Sequence, residues 1–314
     1  MGKRKIFKIV FVILSIFLCV VFYELLGICV AYKKQPEVSN TTKKETKNGS
    51  WNECSENPER AVIIEKNPEA LLQRVRLIKN AKKEIILSTF AFQSDESGKL
   101  ILGALHDAAD RGVHIRLLVD GMESWIDMEG NPYFYGLSSH ENVEIKLYNK
   151  ANPLKPWKMM GRMHDKYLIA DGKRYILGGR NTYNYFLGDF PGHKNYDRDV
   201  LVVCDEPEKE NSVNQLLEYF ETIWEQEDSG YFHDNKKLAN RKSVKNAVLE
   251  LQNGYQKYFE ENKERICDTD YTDETFETEK IALVSNPIHT GSKEPVVWYQ
   301  LGELMKNAKN RVKI

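Results

Sequence analysis

Residues 163–181 read MHDKYLIADGKRYILGGRN. His164 stands two residues before Lys166, Asp171 stands five after the lysine, and Gly178, Gly179 and Asn181 follow. Alternate side chains of a strand point the same way, so His164, Lys166, Leu168 and Ala170 share one face and Met163, Asp165, Tyr167 and Ile169 the other. His164 and Lys166 then project together, roughly 7 Å apart along the strand. A phosphoryl group fits between such side chains. Histidine is a nucleophile at phosphorus when neutral and an acid when protonated, because its ordinary pKa is about 6.5. Lysine supplies compact positive charge where negative charge grows on non-bridging oxygens. The two glycines permit close approach to the backbone, and the Asn181 amide can donate to another phosphoryl oxygen. His-x-Lys alone is ordinary on a polar hairpin. The longer pattern, His-x-Lys-x4-Asp and then Gly-Gly-x-Asn across a strand, turn and strand, narrows the reading.

The surrounding periodicity supplies the elements that must hold this hairpin. Residues 61–66 and 84–92 read as strands, the second buried and rich in β-branched and aromatic residues. Between them, Leu71, Leu72, Val75 and Ile78 fall on one helical face, and Pro68 sits where a helix start tolerates it. A helical stretch at 98–112 ends on glycine, and strands follow at 113–121 and 143–149. This alternation predicts an α/β fold with a mixed, largely parallel sheet flanked by helices. Asp171-Gly172 is a hairpin-turn signal. A further strand is expected at 198–205 and a long amphipathic helix at 208–226.

The chain has 314 residues, enough for one large or two ordinary domains. Its 45 basic and 46 acidic side chains give a net charge of −1, which argues against a dedicated nucleic-acid binder while leaving room for a local basic groove. Cys19, Cys29, Cys54, Cys204 and Cys267 form no close pair and no metal-ligand spacing, so neither a disulfide framework nor a zinc site is expected. The N-terminus is basic, and the stretch from Ile9 to Tyr32 carries one charge, Glu24. Roughly 20 apolar residues cross a bilayer. A cleaved signal peptide competes with an anchor; the absence of a small-x-small cleavage site, and Ile28 before Cys29, favour the anchor. Lys3, Arg4, Lys5 and Lys8 on one flank compete with Lys33, Lys34, Lys43 and Lys44 on the other over orientation.

These features divide the chain into a membrane anchor helix at 1–32, a polar linker at 33–58, a first α/β lobe at 59–228, a charged helical insertion or linker at 229–280 and the beginning of a second lobe at 281–314. The last assignment rests on an echo. IALVSNP (281–287) resembles AVIIEKNP (61–68), and LGELMKNAKNRVKI (301–314) resembles RVRLIKNAKKEIIL (74–87), with KNAK shared at 79–82 and 306–309. An internal repeat explains this, as does chance recurrence of a common surface-helix composition. If it is a repeat, the sequence stops inside the second strand of its second copy.

Through HDKYLIAD and GGRN, the sequence resembles the phospholipase D superfamily from about residue 60 to 226 and again from 281. GGRNTYNYFLGDF and YDRDVLVV resemble its cardiolipin synthase-like branch. The resemblance implies two similar α/β lobes, or two copies of a smaller chain, each giving one motif to a shared site. One histidine attacks phosphorus to form a phosphohistidine; the other protonates the leaving group and activates the incoming water or alcohol. No metal or cofactor is implied. Carried over, His164 is the catalytic nucleophile, Lys166 and Asn181 bind phosphate with Gly179 beside them, and Asp171, counted with the catalytic set, supports and orients the site.

The departure is that one motif is present. None of His106, His114, His140, His193, His233 and His289 begins another. His193, next to Lys194, comes nearest, but the spacing is wrong for one strand face and suits a loop at the site mouth. His106 and His114 read as structural. A missing second lobe, here truncated, or a homodimer partner is therefore implied, and the lone chain should lose about 10²–10⁴-fold on the proton-transfer step. Members act on phospholipids, nucleic-acid backbones or other phosphodiesters. The anchor, the charge balance and the cardiolipin synthase-like stretch favour phospholipid, at a membrane such as the plasma membrane of a bacterium, over nucleic acid. Lys150, Lys155, Trp157, Lys158 and Arg162 just before the motif suit an anionic headgroup, the membrane surface or an ordinary basic loop. The reading is a membrane-anchored phosphodiesterase or phosphatidyltransferase. The alternatives are a membrane-tethered nuclease of the same superfamily and a non-catalytic lobe binding lipid or another chain.

Overall fold

The computed structural model describes residues 2–31, 33–48, 58–207, 210–233 and 235–310. The chain divides into two compact units, one formed by 1–48, 151–162 and 284–314 and the other by 49–150 and 163–283. In the first, α1 (Lys3–Ala31) exposes apolar side chains such as Phe7, Phe11, Phe17 and Phe22. It is long and apolar enough to cross a membrane by length and composition. The stretch expected to be a solvated tether instead holds a helix, α2 (Asn40–Asn48). Ser39 Oγ accepts from Thr42 N at 3.1 Å, and Glu294 Oε1 accepts from Ser39 N and Thr42 Oγ1 at 2.8 and 2.7 Å. A side-chain cap of this kind satisfies amides that the first turn leaves open. Residues 49–57 of that stretch, with Cys54, lie outside the described residues.

One sheet organises the second unit. Its strands are β1 (Arg60–Ile64), β2 (Glu84–Thr89), β3 (His114–Asp120), β4 (Val143–Tyr148), β5 (Tyr167–Ala170), β6 (Arg174–Gly178), β7 (Asp199–Val203), β8 (Ser229–Tyr231) and β9 (Phe276–Glu277), in the spatial order β8-β4-β3-β2-β5-β6-β7-β1-β9. The mixed α/β class holds, but the sheet is not largely parallel. Among the described strands, β2, β3 and β4 pair in parallel and every other neighbour is antiparallel. Helical crossovers join β2 to β3 and β3 to β4, whereas β5 and β6 form a tight hairpin and β1 returns against β7.

Both faces of the sheet are covered. On one, Ile85, Leu87, Leu168 and Ala170 join a core with Leu71, Leu72, Val75 and Ile78 of α3 (Asn67–Asn80) and Ile101 and Leu105 of α4 (Glu96–Asp110). Asp95 caps α4 by accepting from Gly98 N at 3.0 Å. The short helices α5 (Gly121–Asp127) and α6 (Pro132–Ser138) follow β3. On the other face, Tyr167 meets Phe220 of α7 (Ser212–Trp224) edge to face, with ring centroids 6.5 Å apart.

The segment expected to be a connecting insertion, 229–280, is built into this unit. Its helix α8 (Lys242–Glu261) buries Val244, Ala247, Leu251, Tyr255 and Phe259. Burial of each large apolar side chain contributes roughly 1.5–3 kcal/mol, so this face outweighs the charged composition that suggested a solvated connector. Next, α9 (Lys263–Cys267) leads to a loop in which Asp268 and Glu274 ion-pair with the buried Arg76 at 3.1 and 2.9 Å. β8 and β9 extend the two sheet edges.

The echoed segment 281–287 is not a strand. Leu283 N donates to the Gln215 side chain at 2.8 Å rather than to a strand partner. A helix, α10 (Val296–Asn307), does follow; the second strand expected after it falls on 311–314, outside the described residues.

Candidate active site

His164, Lys166 and Asn181 gather where the parallel strands end. β5 runs antiparallel to β2 with Tyr167 opposite Ser88, so the start of β5 lies beside the carboxyl end of β2. Ligands of open α/β sheets bind at this edge. His164 and Lys166 lie just before β5 rather than inside it, although Gly178 N donates to Lys166 O at 3.1 Å and carries the β5–β6 ladder that far. The alternation survives. His164 and Lys166 both meet the ring of Phe90, which follows β2: the imidazole stands edge-on with centroids 4.6 Å apart, and Lys166 Nζ lies 5.5 Å from the ring centroid. Asp165 turns the other way, accepting from Tyr219 of α7 at 2.7 Å.

The two residues differ in their surroundings. His164 is exposed, whereas Lys166 is only 6% exposed. Lys166 Nζ donates to His164 O at 2.7 Å. Burial pushes the Lys166 ammonium down to about 8, against the smaller upward pull of the Asp165 and Asp197 carboxylates. A pKa of 8 leaves roughly nine in ten of these groups charged at pH 7. A desolvated cation of this kind gains more from an incoming phosphate than a hydrated surface lysine would.

Asn181 is buried in the same edge, and its Oδ1 accepts from Ala91 N at 3.2 Å. That bond orients the side chain and leaves Nδ2 as a donor with no hydrogen bond among the described residues. Gly179 departs from expectation. A Cβ there would overlap the Asp197 carboxylate, so its open side faces a protein acid rather than space for a phosphate. Gly178 is closed off in the same way by Asp199, which is buried between Arg74 and Arg180 at 2.9 and 3.2 Å.

Asp171 is not brought to this edge. It lies at the far end of β5, about 23 Å from His164 along an extended strand at roughly 3.3 Å per residue. Both Asp171 and Gly172 have positive φ, a region that Asp and Gly tolerate, in the three-residue loop between the paired Ala170 and Arg174. The Asp171 carboxylate accepts from the amides of Lys82, Lys83 and Glu84 at 2.7–3.1 Å, tying the hairpin tip to the start of β2. It therefore acts on the register of the sheet rather than on a substrate. His193 is exposed and tilts against Tyr185, with centroids 5.5 Å apart. His106 is held by Asp110 of its own helix, and His114 of β3 by Glu84 and Glu144 of the two neighbouring strands.

Sequence reasoning missed Asp120. This buried residue ends β3, caps α5 through Met122 N at 3.0 Å, and accepts from Met163 N at 3.1 Å, fixing the backbone one residue before His164. An acid closing the apolar run of VHIRLLVDG at a strand's carboxyl end was the available signal. Phe90, Asp197 and Tyr219 carried none, because their roles come from distant parts of the chain meeting.

Residues 75–224, from within α3 to the end of α7, match a family model described as cardiolipin synthase, PLD-like domain. Residues 75–224 are thus a phospholipase D-like region. An uncharacterized protein of Helicobacter pylori (strain J99) is 31% identical over 219 residues, covering 64% of this chain and 40% of that protein. Cardiolipin synthase C of Escherichia coli K12 is 28% identical over 183 residues, covering 53% of this chain and 37% of that enzyme. The chain thus spans about two fifths of the length of these curated relatives. Among solved structures, NucT from Helicobacter pylori matches with 19% identity and a TM-score of 0.42, covering 55% of this chain and 99% of that one. The matched phospholipase D region contains His164, Lys166, Asp171 and Asn181, whereas β1, α8, α9 and β9 lie outside it.

Proposed function

We propose that this chain is a membrane-anchored phosphodiesterase or phosphatidyltransferase acting on phospholipids, with His164 as the nucleophile. The observation that carries this is the pairing of an exposed imidazole with a buried ammonium on one aromatic ring. A His164 ring nitrogen bonds to phosphorus as the bond from phosphorus to the leaving alcohol oxygen breaks. Lys166, and the Asn181 amide, take up the charge on the non-bridging oxygens. Water or a second alcohol then attacks phosphorus, and the nitrogen–phosphorus bond breaks to release His164. The leaving oxygen needs a proton, and the incoming one must lose its own. We assign both transfers to a second His-x-Lys motif from another lobe or another copy of the chain, since this sequence carries one.

Three observations support phospholipid. The Escherichia coli relative is named a cardiolipin synthase. Helix α1 suits a bilayer by length and composition. The net charge of −1 gives no general attraction to nucleic acid. The test is phosphatidylglycerol turnover in vesicles beside cleavage of single-stranded DNA, each with wild type and His164→Ala. The proposal expects lipid turnover that His164→Ala abolishes. DNA cleavage lost in the variant, without lipid turnover, would make the protein a tethered nuclease. No activity dependent on His164, even with a second-motif polypeptide supplied, would make it a binding lobe.

A further inference from the structure

The loop of residues 151–162 leads directly to the site, since Arg162 stands two residues before His164. Within the first unit this loop lies against α1. Tyr23 OH donates to Leu154 O at 2.9 Å, and a Cβ on Gly27 would overlap the ring of Pro156, so glycine allows the close approach. On the loop's other side, the backbone at Gly161 meets that of Thr290, and Lys293 Nζ donates to Arg162 O at 3.1 Å. Ser292 Oγ donates to Ala31 O at 2.9 Å, closing the end of α1 onto the same segment.

The loop nonetheless leaves Leu154 at 78%, Trp157 at 45% and Met160 at 56% exposed, with Lys155 exposed between them. A single exposed apolar side chain is ordinary on a soluble loop, but three large ones within seven residues are not. The position along α1 explains them. Counting roughly 20 residues from Ile9, just after the basic N-terminal residues, places the far boundary of a membrane span near Ile28. Tyr23 and Gly27 then sit in its last two turns, at the depth where tryptophan and tyrosine concentrate and lysine and arginine reach for headgroups.

We propose that residues 151–162 form a membrane-seated loop. Leu154, Trp157 and Met160 enter the edge of the acyl region beside α1, and Lys155, Lys158 and Arg162 lie at the level of anionic headgroups. This deepens the proposed function and rests on its reading of α1 as an anchor.

The test uses the full chain in vesicles of phosphatidylglycerol and phosphatidylcholine whose acyl chains are brominated near the glycerol end. Flotation after a carbonate wash reads the anchor, and quenching of tryptophan emission reads the loop. The chain should float, and Trp157→Phe should remove the quenching that Trp157 carries, which amounts to up to about a fifth of the total emission since it is one of five tryptophans. The double variant Leu154→Asp, Met160→Asp should float equally well and lose the same part, because two carboxylates at this depth lift the loop. A floating chain whose quenching is unchanged by Trp157→Phe would overturn the loop and leave the anchor standing. A chain that does not float would overturn both.

Discussion

At the scale of single residues, the site trades stability for charge. Lys166 is driven down from 10.5 to about 8 by burial. In the free enzyme kcat/KM should therefore fall as pH rises through about 8, when the ammonium loses its proton. Lys166→Arg, which stays protonated, should lose that limb of the pH profile whatever its absolute rate. The stability effect has the opposite sign. Between pH 8 and 10.5 the unfolded chain binds more protons at this position, so wild-type stability should rise with pH across that window. Below it the buried ammonium costs up to about 3 kcal/mol. Lys166→Met should therefore be more stable than wild type at pH 7 and inactive, as chemical denaturation and a turnover assay would show. Asp171 should separate the other way. Asp171→Asn weakens the clasp on three amides and should cost about 1–3 kcal/mol, with turnover of the folded protein within about tenfold of wild type. A loss as complete as that of His164→Ala would return Asp171 to the chemistry.

At the scale of elements, the lobe depends on a helix that its composition disguised. Gly103 of α4 lets α8 approach so closely that a Cβ would lie 2.7 Å from both Leu251 O and Tyr255 Cβ. In a solvated helix, Gly→Ala stabilises by up to about 1 kcal/mol. Here Gly103→Ala should instead destabilise by about 1–3 kcal/mol through overpacking. The sign of that change in a denaturation curve decides whether 242–261 belongs to the fold. What sequence could foresee divides along the same line. The β5–β6 hairpin was legible because Asp171-Gly172 and the alternation of 163–170 are local signals. So was the buried face of α3, from its spacing alone. The antiparallel majority of the sheet, the docking of α8 on α4 and the clasp of Asp171 on 82–84 were not. Each depends on which distant segments meet, and periodicity within one segment carries no record of its partner. The site shows the same split: His164, Lys166 and Asn181 came from spacing, whereas Phe90 and Asp197 came only from the fold.

At the scale of the molecule, the matched phospholipase D region, the apolar helix and the single motif make one account. In the proposed mechanism His164 attacks phosphorus from a sheet edge, Lys166 grips the phosphate, and the proton work falls to a second motif. Mixing inactive His164→Ala protein with wild type tests the sharing of a site. If two copies complete one another, activity per wild-type chain should change with the mixing ratio; if each chain works alone, it should stay constant. The central claim is the covalent step at His164. It is tested most directly by acid-sparing quench of the chain with phosphatidylglycerol labelled at phosphorus, followed by mapping of the labelled peptide. The account predicts an acid-labile, base-stable phosphoramidate on the peptide holding His164, absent from His164→Ala. Label on another residue, or lipid turnover that proceeds unchanged in His164→Ala, would contradict it.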